Sequence, residues 1–355
     1  LDMPVVALGG HMKATVAIGW GRRAVLSPHI GELDSPRAMG VFQRVVEDLQ
    51  EIHKVEAKVL ICDANPDYGS SRWARARGVP AAPVQHHIAH ASALAGENPD
   101  IGRWLTFAWD GTGLGIHGSL WGGEAFLGAP GDWLRVASMR PFQLLGGDRA
   151  AREPWRCAAA LMWEAGRDWT PPTPGASMAA AAWRKGVACT ESSAVGRLFD
   201  AAAALVLGLE TTSFEGQGPM MLEAIAEAGC DPVALSLARD ANGLLRTDWA
   251  PLLDCFADDT MPAGERAGIF HASIAGALVA QVEAVAAEDK FDAVGLTGGV
   301  FQNRLLAETV AGLLDARDIQ VVQHRIAPAN DGGLAFGQLV EYACRMAGTS
   351  GGLRE

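Results

Sequence analysis

The feature that most constrains the fold is a weak internal repeat, in which two segments of the chain follow the same order of elements. Residues 5–27 and 105–128 each consist of short apolar stretches separated by glycine-rich turns. The clearest of these predicted turns are Gly9-Gly10, Asp110-Gly111-Thr112-Gly113 and Gly122-Gly123. Apolar stretches bounded by glycine are typical of antiparallel hairpins. The repeat therefore predicts two similar units, each opening with a meander of hairpins.

Each predicted meander is followed by a helical pattern and then by a short, very apolar strand. Apolar residues recur at three- and four-residue spacing in 37–53 and in 269–288, as on the buried face of a helix. The apolar runs 59–63 and 293–299 end in polar residues or glycine. Such runs between helices fit strands that are buried on both faces of a mixed sheet. The sequence therefore predicts an α/β protein with two lobes around a central cleft.

We expect the first lobe to span residues 1–100 and the second to span residues 101–355. The second is longer because residues 139–262 form an insertion that is rich in alanine and tryptophan and mainly helical by periodicity. Pro171-Pro172-Thr173-Pro174-Gly175 predicts a loop within this insertion. The first four residues, Leu1-Asp2-Met3-Pro4, lead us to expect the edge of a fragment.

Composition limits the classes of partner that the chain can bind. Hydrophobic residues make up 49% of the sequence, which is enough for a substantial core. The 41 acidic residues against 29 lysines and arginines give a net charge of −12, which opposes non-specific binding of nucleic acid. No apolar run reaches the ~18 residues of a membrane span. The six scattered cysteines form no CxxC pair, as expected of a reduced, cytoplasmic protein and not of a disulfide scaffold or a zinc finger.

The sharpest local signal is the group of histidines in Gln85-His86-His87-Ile88-Ala89-His90. If a helix begins near Val84, His86 and His90 project from the same face, and two imidazoles at this spacing can share one metal ion. His87 and His90, three residues apart, form a competing pair. A group of surface or capping histidines is the alternative that the sequence leaves open.

Two aspartates can complete a set of metal ligands. Asp110 follows a predicted strand, and Asp331 precedes a predicted helix in Asn330-Asp331-Gly332-Gly333. Asp-Gly is also a common turn dipeptide, so ordinary turn chemistry is the alternative for each aspartate. Two histidines with two carboxylates suit a single Zn(II) or Fe(II) ion that keeps open positions for a substrate oxygen.

The glycine-rich segments form a second group of candidates. Backbone N–H groups at Gly9-Gly10 and at residues 110–113 can bind a phosphate, to which Lys13 would add a positive charge. Gly298-Gly299 ends a predicted strand, and a helix opens near Asn303, where the helix dipole favours an anion or a nucleotide. None of these segments is a GxGxxG or Walker A motif. Plain turn structure is therefore the alternative for each one taken alone.

Seven groups of short motifs follow one another along almost the whole chain, from about Val5 to about Ala347. They are Leu8-Gly9-Gly10-His11-Met12-Lys13; Gln85-His86-His87-Ile88-Ala89-His90; Asp110-Gly111-Thr112-Gly113 with Leu120-Trp121-Gly122-Gly123-Glu124; Gly146-Gly147-Asp148 with Arg152-Glu153-Pro154-Trp155-Arg156; Phe214-Glu215-Gly216-Gln217; Gly298-Gly299-Val300-Phe301-Gln302-Asn303; and Asn330-Asp331-Gly332-Gly333. In this order they resemble the C-terminal carbamoyltransferase module of the HypF family, which matures NiFe hydrogenases.

This resemblance implies an α/β fold of the duplicated, actin-like or sugar-kinase type (ASKHA), with two lobes whose mixed sheets are flanked by helices. Such a fold is related to the TsaD family of tRNA threonylcarbamoyl transferases. The resemblance also implies one divalent metal, Zn or Fe(II), beside a nucleotide, either ATP or carbamoyl adenylate. The residues it assigns are His86, His90, Asp110 and Asp331 to the metal; Lys13, Gly111, Thr112 and Gly113 to the phosphates; Gly298, Gly299 and Asn303 to the adenosine; and Asp200 to the ribose.

The activity implied by the resemblance is carbamoyl transfer from carbamoyl adenylate to the C-terminal cysteine of a HypE-like partner, where the group becomes a cyanide ligand of the hydrogenase iron. The attacking thiolate belongs to the partner, so no nucleophile is assigned within the chain. We expect upstream acylphosphatase, zinc-finger and YrdC-like modules to handle carbamoyl phosphate and ATP, unless the chain is a naturally short form supplied by other proteins. Ala14 follows Lys13 where the family usually has asparagine, so one polar contact expected near the phosphate is missing.

Three other functions stay open at this point. They are carbamoyl transfer to a sugar hydroxyl, TsaD-like modification of tRNA, and a non-catalytic role as an ATP-binding assembly module. The net charge of −12 counts against tRNA. A hydroxyl acceptor would need a general base, and no residue in the sequence is identifiable as one. We therefore expect neither nucleic acid nor a membrane among the partners.

Overall fold

The protein, seen in a computed structural model that describes residues 1–348, contains two mixed sheets. The first sheet has five strands in the order β3-β2-β1-β4-β5. Its elements in chain order are β1 (Val5–Ala7), β2 (Ala17–Trp20), β3 (Arg23–Leu26), α1 (Pro36–His53), β4 (Val59–Asp63), α2 (Gly69–Arg75), β5 (Ala81–Val84) and α3 (His86–Glu97).

The meander predicted at residues 5–27 is confirmed. Strands β1, β2 and β3 pair antiparallel, whereas β4 lies parallel to β1 and β5 lies parallel to β4. Between β1 and β2, Gly9 has a φ of +63°, and a Cβ there would lie 2.7 Å from the carbonyl oxygen of Thr15. Only glycine fits this left-handed and crowded position. The helix predicted at 37–53 is α1, which begins where the Ser35 side chain accepts a hydrogen bond from Ala38 N.

The second sheet has nine strands, seven of them in the order β11-β12-β8-β7-β6-β13-β14, while β10 pairs with both β7 and β9. Its elements in chain order are β6 (Trp104–Leu114), β7 (Leu120–Ala129), β8 (Asp132–Met139), β9 (Phe142–Leu145), α4 (Arg149–Arg152), α5 (Trp155–Glu164), α6 (Ala176–Arg184), β10 (Cys189–Ser192), α7 (Val195–Leu207), α8 (Gln217–Ile225), β11 (Leu237–Arg239), β12 (Leu245–Thr247), α9 (Leu252–Ala257), α10 (Ala263–Ala286), β13 (Ala293–Thr297), α11 (Arg304–Asp315), β14 (Val321–Gln323) and α12 (Leu334–Ala347).

The two glycine-rich turns predicted in the second meander are wrong, because both segments lie inside strands. Residues 110–113 belong to β6, whose register against β7 shifts between Trp109 and Gly113, and Gly122-Gly123 lies in β7. The chain reverses between them, at the 3-10 turn Ile116–Gly118. A Cβ on Gly123 would lie 2.3 Å from the carbonyl oxygen of Ser193. These glycines therefore permit a close backbone approach and an irregular strand.

The apolar strands and the long helix of the second half agree with the sequence. The run predicted at 59–63 is β4, that predicted at 293–299 is β13, and the helix predicted at 269–288 is α10. Among the described residues, α10 is the one helix long and apolar enough to cross a membrane by length and composition, which the sequence analysis had not anticipated. The most apolar stretch of α10 is 61% buried. The helix packs against neighbours that include α7, α8, α9 and α11. It packs as a core helix of the protein.

The division into lobes at 1–100 and 101–355 stays a prediction. The segment 139–262 contains six helices and four short strands, and the predicted loop at 171–175 has neither helix nor strand. Helix α12, at the end of the described chain, packs against α3 and against the strands of the first sheet. Helix α3 in turn contacts β6, β7 and β13 of the second sheet. These two helices therefore form the layer between the sheets.

Candidate active site

Four side chains from three separate parts of the chain meet between the two sheets. His86 and His90 come from the start of α3, Asp110 from β6, and Asp331 from the 3-10 turn Asp331–Gly333 that precedes α12. Their candidate ligand atoms all lie within 4.8 Å of one another. The Nε2 atoms of both histidines are 3.4 Å from Asp110 Oδ2 and 3.6 Å from Asp331 Oδ1. The structure thus brings together the four residues that the sequence proposed as metal ligands.

The histidine pair is fixed by where α3 begins. Strand β5 ends at Val84 and the helix starts at His86, two residues later than the sequence suggested. Residues four apart then lie on one face. His87 points elsewhere, with its ring 6.2 Å from that of Trp121, and neither of its ring nitrogens has a hydrogen-bond partner among the described residues. The geometry therefore favours His86 with His90 over the competing pair of His87 with His90.

A second layer of contacts orients the cluster. Asp63, buried at the end of β4, places Oδ2 2.8 Å from His86 Nδ1. The backbone N–H of Gly299 donates to Asp110 Oδ1 at 3.0 Å. Such contacts fix the ring and carboxylate orientations of metal ligands. Sequence reasoning missed Asp63, although its position as the polar end of a buried strand was a usable signal.

The charges of the cluster suit a bound cation, because its two carboxylates stabilise positive charge. Burial opposes the charged forms of His86 and His90, but Asp331 and Asp110 raise the pKa of both imidazoles. Burial also opposes ionisation of Asp110, yet the two histidines lower its pKa well below the usual range. His90 Nε2 is buried and has no hydrogen-bond partner within residues 1–348. Two imidazoles and two carboxylates fit a Zn(II) or Fe(II) ion, which would replace the protons on the histidines.

Lys13 lies at the edge of the cleft and is already paired with an acid. Its Nζ forms an ion pair with Glu215 of the Phe214-Glu215-Gly216-Gln217 motif. Burial disfavours the ammonium, but Glu215, and at longer range Asp331 and Asp110, raise the pKa of Lys13 above its usual value. The predicted phosphate lysine is therefore charged and close to the cluster, and the sequence had not indicated its partner Glu215.

Of the residues predicted to line the adenosine, Gly298 and Gly299 lie beside Trp109 and Asp110. Gly298 has a φ of +97°, and a Cβ there would lie 2.1 Å from the carbonyl oxygen of Trp109. The Asn303 side chain accepts from Leu306 N at 2.9 Å and so caps α11. Its Nδ2 lies 2.9 Å from His271 Nε2. These contacts give Asn303 a structural role, and its assignment to the adenosine stays a prediction.

The strand segment Gly111, Thr112 and Gly113 passes directly beneath the histidines. A Cβ on Gly113 would lie 2.6 Å from His86 Cδ2 and 2.8 Å from His87 Cε1. This position therefore requires glycine because the two rings pack on the backbone. The assignment of the segment to a phosphate stays a prediction.

Asp200, predicted to hold a ribose, is buried in α7 beside an arginine. Arg197 Nη2 lies 2.8 Å from Asp200 Oδ2, with an angle that does not make a hydrogen bond, and Asp200 Oδ2 has none among the described residues. Burial raises the pKa of Asp200 to about 6, with Arg197 opposing and Glu215 adding to this shift. The sequence gave no indication of the role of Arg197.

Tyr68 is a further neighbour that the sequence did not single out. Its ring centroid lies 6.4 Å from that of His86 and 5.5 Å from that of His11. Burial raises the pKa of its phenol, so the group is neutral. It precedes α2 as an isolated aromatic residue, so no spacing or motif marked it.

Cavity volume alone does not locate this site. A cavity of about 870 Å³ opens beside Trp121, Arg135 and Arg246, and another of about 670 Å³ opens beside Trp155 and Met178. Neither is lined by any of the four cluster residues. We locate the site by its chemistry, because the buried imidazoles and carboxylates converge elsewhere.

Fold and cluster together define a two-lobed α/β protein of the ASKHA class with a candidate metal centre between its sheets. Two family models match the chain: "HypF Kae1-like domain" at residues 1–97 and "Carbamoyltransferase, Kae1-like Domain, second subdomain" at residues 106–338. The chain belongs to the HypF family. The resemblance drawn from the motifs and the predicted fold class are both confirmed.

Individual relatives agree with this assignment. The chain is 37% identical to a carbamoyltransferase HypF of Rhizobium leguminosarum bv. viciae, over 94% of this chain and 44% of the relative. It is 39% identical to that of Rhodobacter capsulatus, over 96% and 47%. A carbamoyltransferase HypF homolog of Cupriavidus necator is 34% identical over 94% of this chain and 90% of its own length. The chain thus spans about half the length of the first two relatives and nearly all of the third.

A solved structure supports the fold. Full-length HypF in a phosphate- and nucleotide-bound form superposes with a TM-score of 0.93 at 24% identity, over 99% of this chain and 57% of that chain. HypF of T. kodakarensis gives a TM-score of 0.84 at 22% identity, over 97% and 48%.

Proposed function

We propose that the chain transfers a carbamoyl group from carbamoyl adenylate to the C-terminal cysteine thiolate of a HypE-like protein. The product would serve the synthesis of the cyanide ligands of NiFe hydrogenase in the cytoplasm. The observation that carries this proposal is the cluster of His86, His90, Asp110 and Asp331. It lies between the sheets of a chain whose family is named for carbamoyl transfer.

The proposed reaction is acyl transfer to sulfur. The partner's thiolate attacks the carbamoyl carbon, a C–S bond forms, and the bond from that carbon to the phosphate oxygen breaks. The electron pair leaves with AMP, and the partner carries a thiocarbamate. A cysteine thiolate is a good nucleophile near neutral pH and needs little help from a strong base.

Residues of the chain would hold the substrate for this attack. His86, His90, Asp110 and Asp331 would bind the divalent metal, which when bound supplies Lewis-acid stabilisation of negative charge on a substrate oxygen. We assign the remaining positions as follows: Lys13, Gly111, Thr112 and Gly113 to the phosphates, Asp200 to the ribose, and Gly298, Gly299 and Asn303 to the adenosine.

The cysteines of the chain support a nucleophile that comes from the partner. All six are free thiols outside the cluster. Burial raises the pKa of all six thiols, including Cys62, which precedes Asp63. None is thus activated as a thiolate, and no nucleophile is assigned within the chain.

The substrate would be made elsewhere. The chain spans about half the length of several relatives, so we propose that a separate adenylating module converts carbamoyl phosphate and ATP to carbamoyl adenylate. The chain itself would perform the transfer half-reaction.

The test is to mix the chain with synthetic carbamoyl adenylate and HypE and to weigh HypE by mass spectrometry. We expect one added carbamoyl group, located on the terminal cysteine. A HypE variant with serine in place of that cysteine is the matched control and should stay unmodified. Carbamoylation of the serine variant would favour a hydroxyl acceptor instead. AMP release at background level with bound nucleotide would favour a non-catalytic assembly module.

A further inference from the structure

Arg197 is a buried cation beside the cluster to which neither the motifs nor the comparisons give a role. Its residue is 8% exposed, and it lies in the first turn of α7. Its Nη2 lies 3.6 Å from the position that a Cβ on Gly111 would occupy. The guanidinium therefore faces the strand segment proposed for the phosphates.

The segment that carries Arg197 is held rigidly against that strand. A Cβ on Gly196 would lie 2.8 Å from Gly111 Cα and 2.9 Å from the carbonyl oxygen of Asp110. Helix α7 thus begins in direct contact with the backbone of a proposed metal ligand. Rigid placement of this kind is what a binding side chain needs.

The part of the chain that the structure describes leaves some of the hydrogen-bonding capacity of Arg197 unused. Its only ion pair among the described residues is with Asp200, and its buried Nε has no hydrogen-bond partner. A guanidinium has five N–H donors in a fixed fork. A buried donor without a partner is costly, so the unused donors point to a ligand that accepts hydrogen bonds.

The position of Arg197 in its helix is also unfavourable without a ligand. Helix α7 has thirteen residues, and its N-cap, Ala194, has no capping side chain. The positive end of a helix dipole disfavours a cation in the first turn and favours an anion. Asp200 supplies one negative charge one turn later. A bound phosphate would supply further negative charge at the start of α7.

The carboxylate of Glu215 indicates where a phosphate would bind. Glu215 pairs with Lys13 and is near enough to influence Arg197 and Asp200 electrostatically. Its side chain is half exposed, so it can be displaced into solvent. Two cations, Lys13 and Arg197, thus lie near one acidic group.

We infer that Arg197 is a further phosphate ligand, which donates from its guanidinium to the phosphate of the bound nucleotide beside Gly111. Asp200 then holds the guanidinium in place. This inference rests on the nucleotide site of the proposed function. It assigns the phosphate group two side-chain cations, Lys13 and Arg197.

The experiment compares AMP with adenosine as ligands of the whole chain, by calorimetric titration. Changing Arg197 to glutamine should weaken AMP binding by about tenfold to a hundredfold, the range for a charged hydrogen bond. Adenosine, which has no phosphate, should lose much less affinity, because it responds to the change only through Asp200, the proposed ribose ligand that pairs with Arg197. R197K keeps the positive charge but lacks the paired N–H donors of a guanidinium, so its AMP affinity should lie between those of wild type and R197Q.

The matched control is Arg266→Gln. Arg266 is buried to a similar extent and donates to the carbonyl oxygen of Phe256, away from the cluster. R266Q should bind both ligands as wild type does. Retained adenosine binding also shows that each variant is folded. If R197Q does not fold, R197K, which can keep an ion pair with Asp200, still tests the inference.

The outcomes separate this inference from the nucleotide site itself. Equal AMP affinity in wild type and both Arg197 variants overturns the role of Arg197 alone. Equal weakening of AMP and adenosine also overturns it, because that pattern reports a structural effect. If wild type binds neither ligand, the nucleotide site of the proposed function is wrong, and the inference falls with it.

Discussion

At the scale of single residues, the site depends on which ring nitrogens and carboxylate oxygens point to a common centre. His86, His87 and His90 are all fully buried, yet only the first and last face Asp110 and Asp331. His87 is therefore a natural control for His90, because it has the same chemistry, the same helix and the same burial.

We predict that His90→Ala removes most of the metal and leaves the fold intact. Losing one of four ligands should lower metal affinity at least as much as losing an outer-layer partner, which costs about 10–100-fold. Elemental analysis of the purified protein measures this, with circular dichroism as a check of folding. His87→Ala should keep one metal per chain. Full occupancy in the His90 variant, or loss in the His87 variant, would show that the ligands are misassigned.

Lys13 gives a second prediction at this scale. Lys13→Ala should weaken ATP binding by roughly 1.5–3 kcal/mol, the range for a hydrogen bond to a charged group, and metal content and HypE docking should not change. Calorimetric titration of ATP measures the loss. Lys58, an exposed lysine that also pairs with a glutamate, Glu56, is the matched control, and K58A should leave ATP affinity unchanged. Equal affinities for wild type and K13A would leave Gly9-Gly10 as plain hairpin structure.

At the scale of elements, the cluster is held by the contact between α3 and α12. A Cβ on Gly337 of α12 would lie 1.8 Å from the carbonyl oxygen of Ala89 in α3, and a Cβ on Gly96 would lie 2.6 Å from Val340. The helices approach closely because these positions lack side chains. Since α3 carries both histidines and α12 follows Asp331, this contact sets the distance between ligands.

We predict that Gly337→Ala destabilises the protein by about 1–3 kcal/mol or more, because the added methyl group meets backbone that cannot move aside alone. Urea denaturation measures the free energy of unfolding. Gly312→Ala in α11 is the matched control, since a Cβ there meets nothing within 4 Å. That variant should be neutral or more stable by ~0.5–1 kcal/mol through helix propensity. A Gly337 variant as stable as the Gly312 variant would show that α3 and α12 can separate without cost.

A pH dependence follows from Glu97 at the end of α3. It accepts hydrogen bonds from the backbone N–H groups of Arg325, Ile326 and Ala327, and its Oε1 lies 2.7 Å from His324 Nδ1. Burial opposes its ionisation, but these contacts lower the pKa of Glu97 from 4.5 to about 2. Glu97 thereby anchors the segment that leads to Asp331.

A lowered pKa means that this contribution to stability is fully present above about pH 4.5 and is lost as the pH falls toward 2. Glu97→Gln should therefore lower stability at pH 7 by ~1 kcal/mol or more, and the difference from wild type should shrink in acid. Thermal unfolding between pH 7 and pH 3 measures both effects. Glu308→Gln, at an exposed ion pair with Arg304, should change little. A constant difference between wild type and E97Q across this range would contradict the role of Glu97.

Elements differ in how far the sequence could predict them. Helix α1 and strands β4 and β13 were predictable, because their apolar periodicity and their flanking residues agree with the fold. The path of residues 110–123 was not predictable, because a sequence does not distinguish glycines that form turns from glycines that allow close backbone contacts. Likewise the spacing of His86 and His90 predicted a pair, and the strand end at Asp63 was a usable signal, whereas the places of Tyr68 and Arg197 depend on tertiary packing that no local pattern encodes.

At the scale of the whole molecule, the transfer site and the adenylating site are expected on different parts of a larger assembly. The chain spans 44% of the Rhizobium relative but 90% of the Cupriavidus homolog. Both lengths thus occur among proteins of this family.

We predict that the isolated chain binds ATP but does not catalyse exchange of pyrophosphate into ATP that depends on carbamoyl phosphate. The reason is that the proposed site holds a nucleotide for transfer of its carbamoyl group and not for making the adenylate. An isotope-exchange assay with labelled pyrophosphate measures this, and full-length HypF serves as the positive control. Robust exchange by the chain alone would show that adenylation also resides here.

Helix α12 covers one face of the first sheet, and this affects how the protein is made. The ribosome makes the strands of that sheet first, whereas the helix that covers them, α12, lies at residues 334–347, after the whole second sheet. Asp331, the last of the four cluster residues, is also translated late. Until residues 334–347 have been made, a nascent chain therefore exposes an uncovered first sheet. A product of translation that stops before residue 331 would lack both this cover and the fourth of the proposed metal ligands.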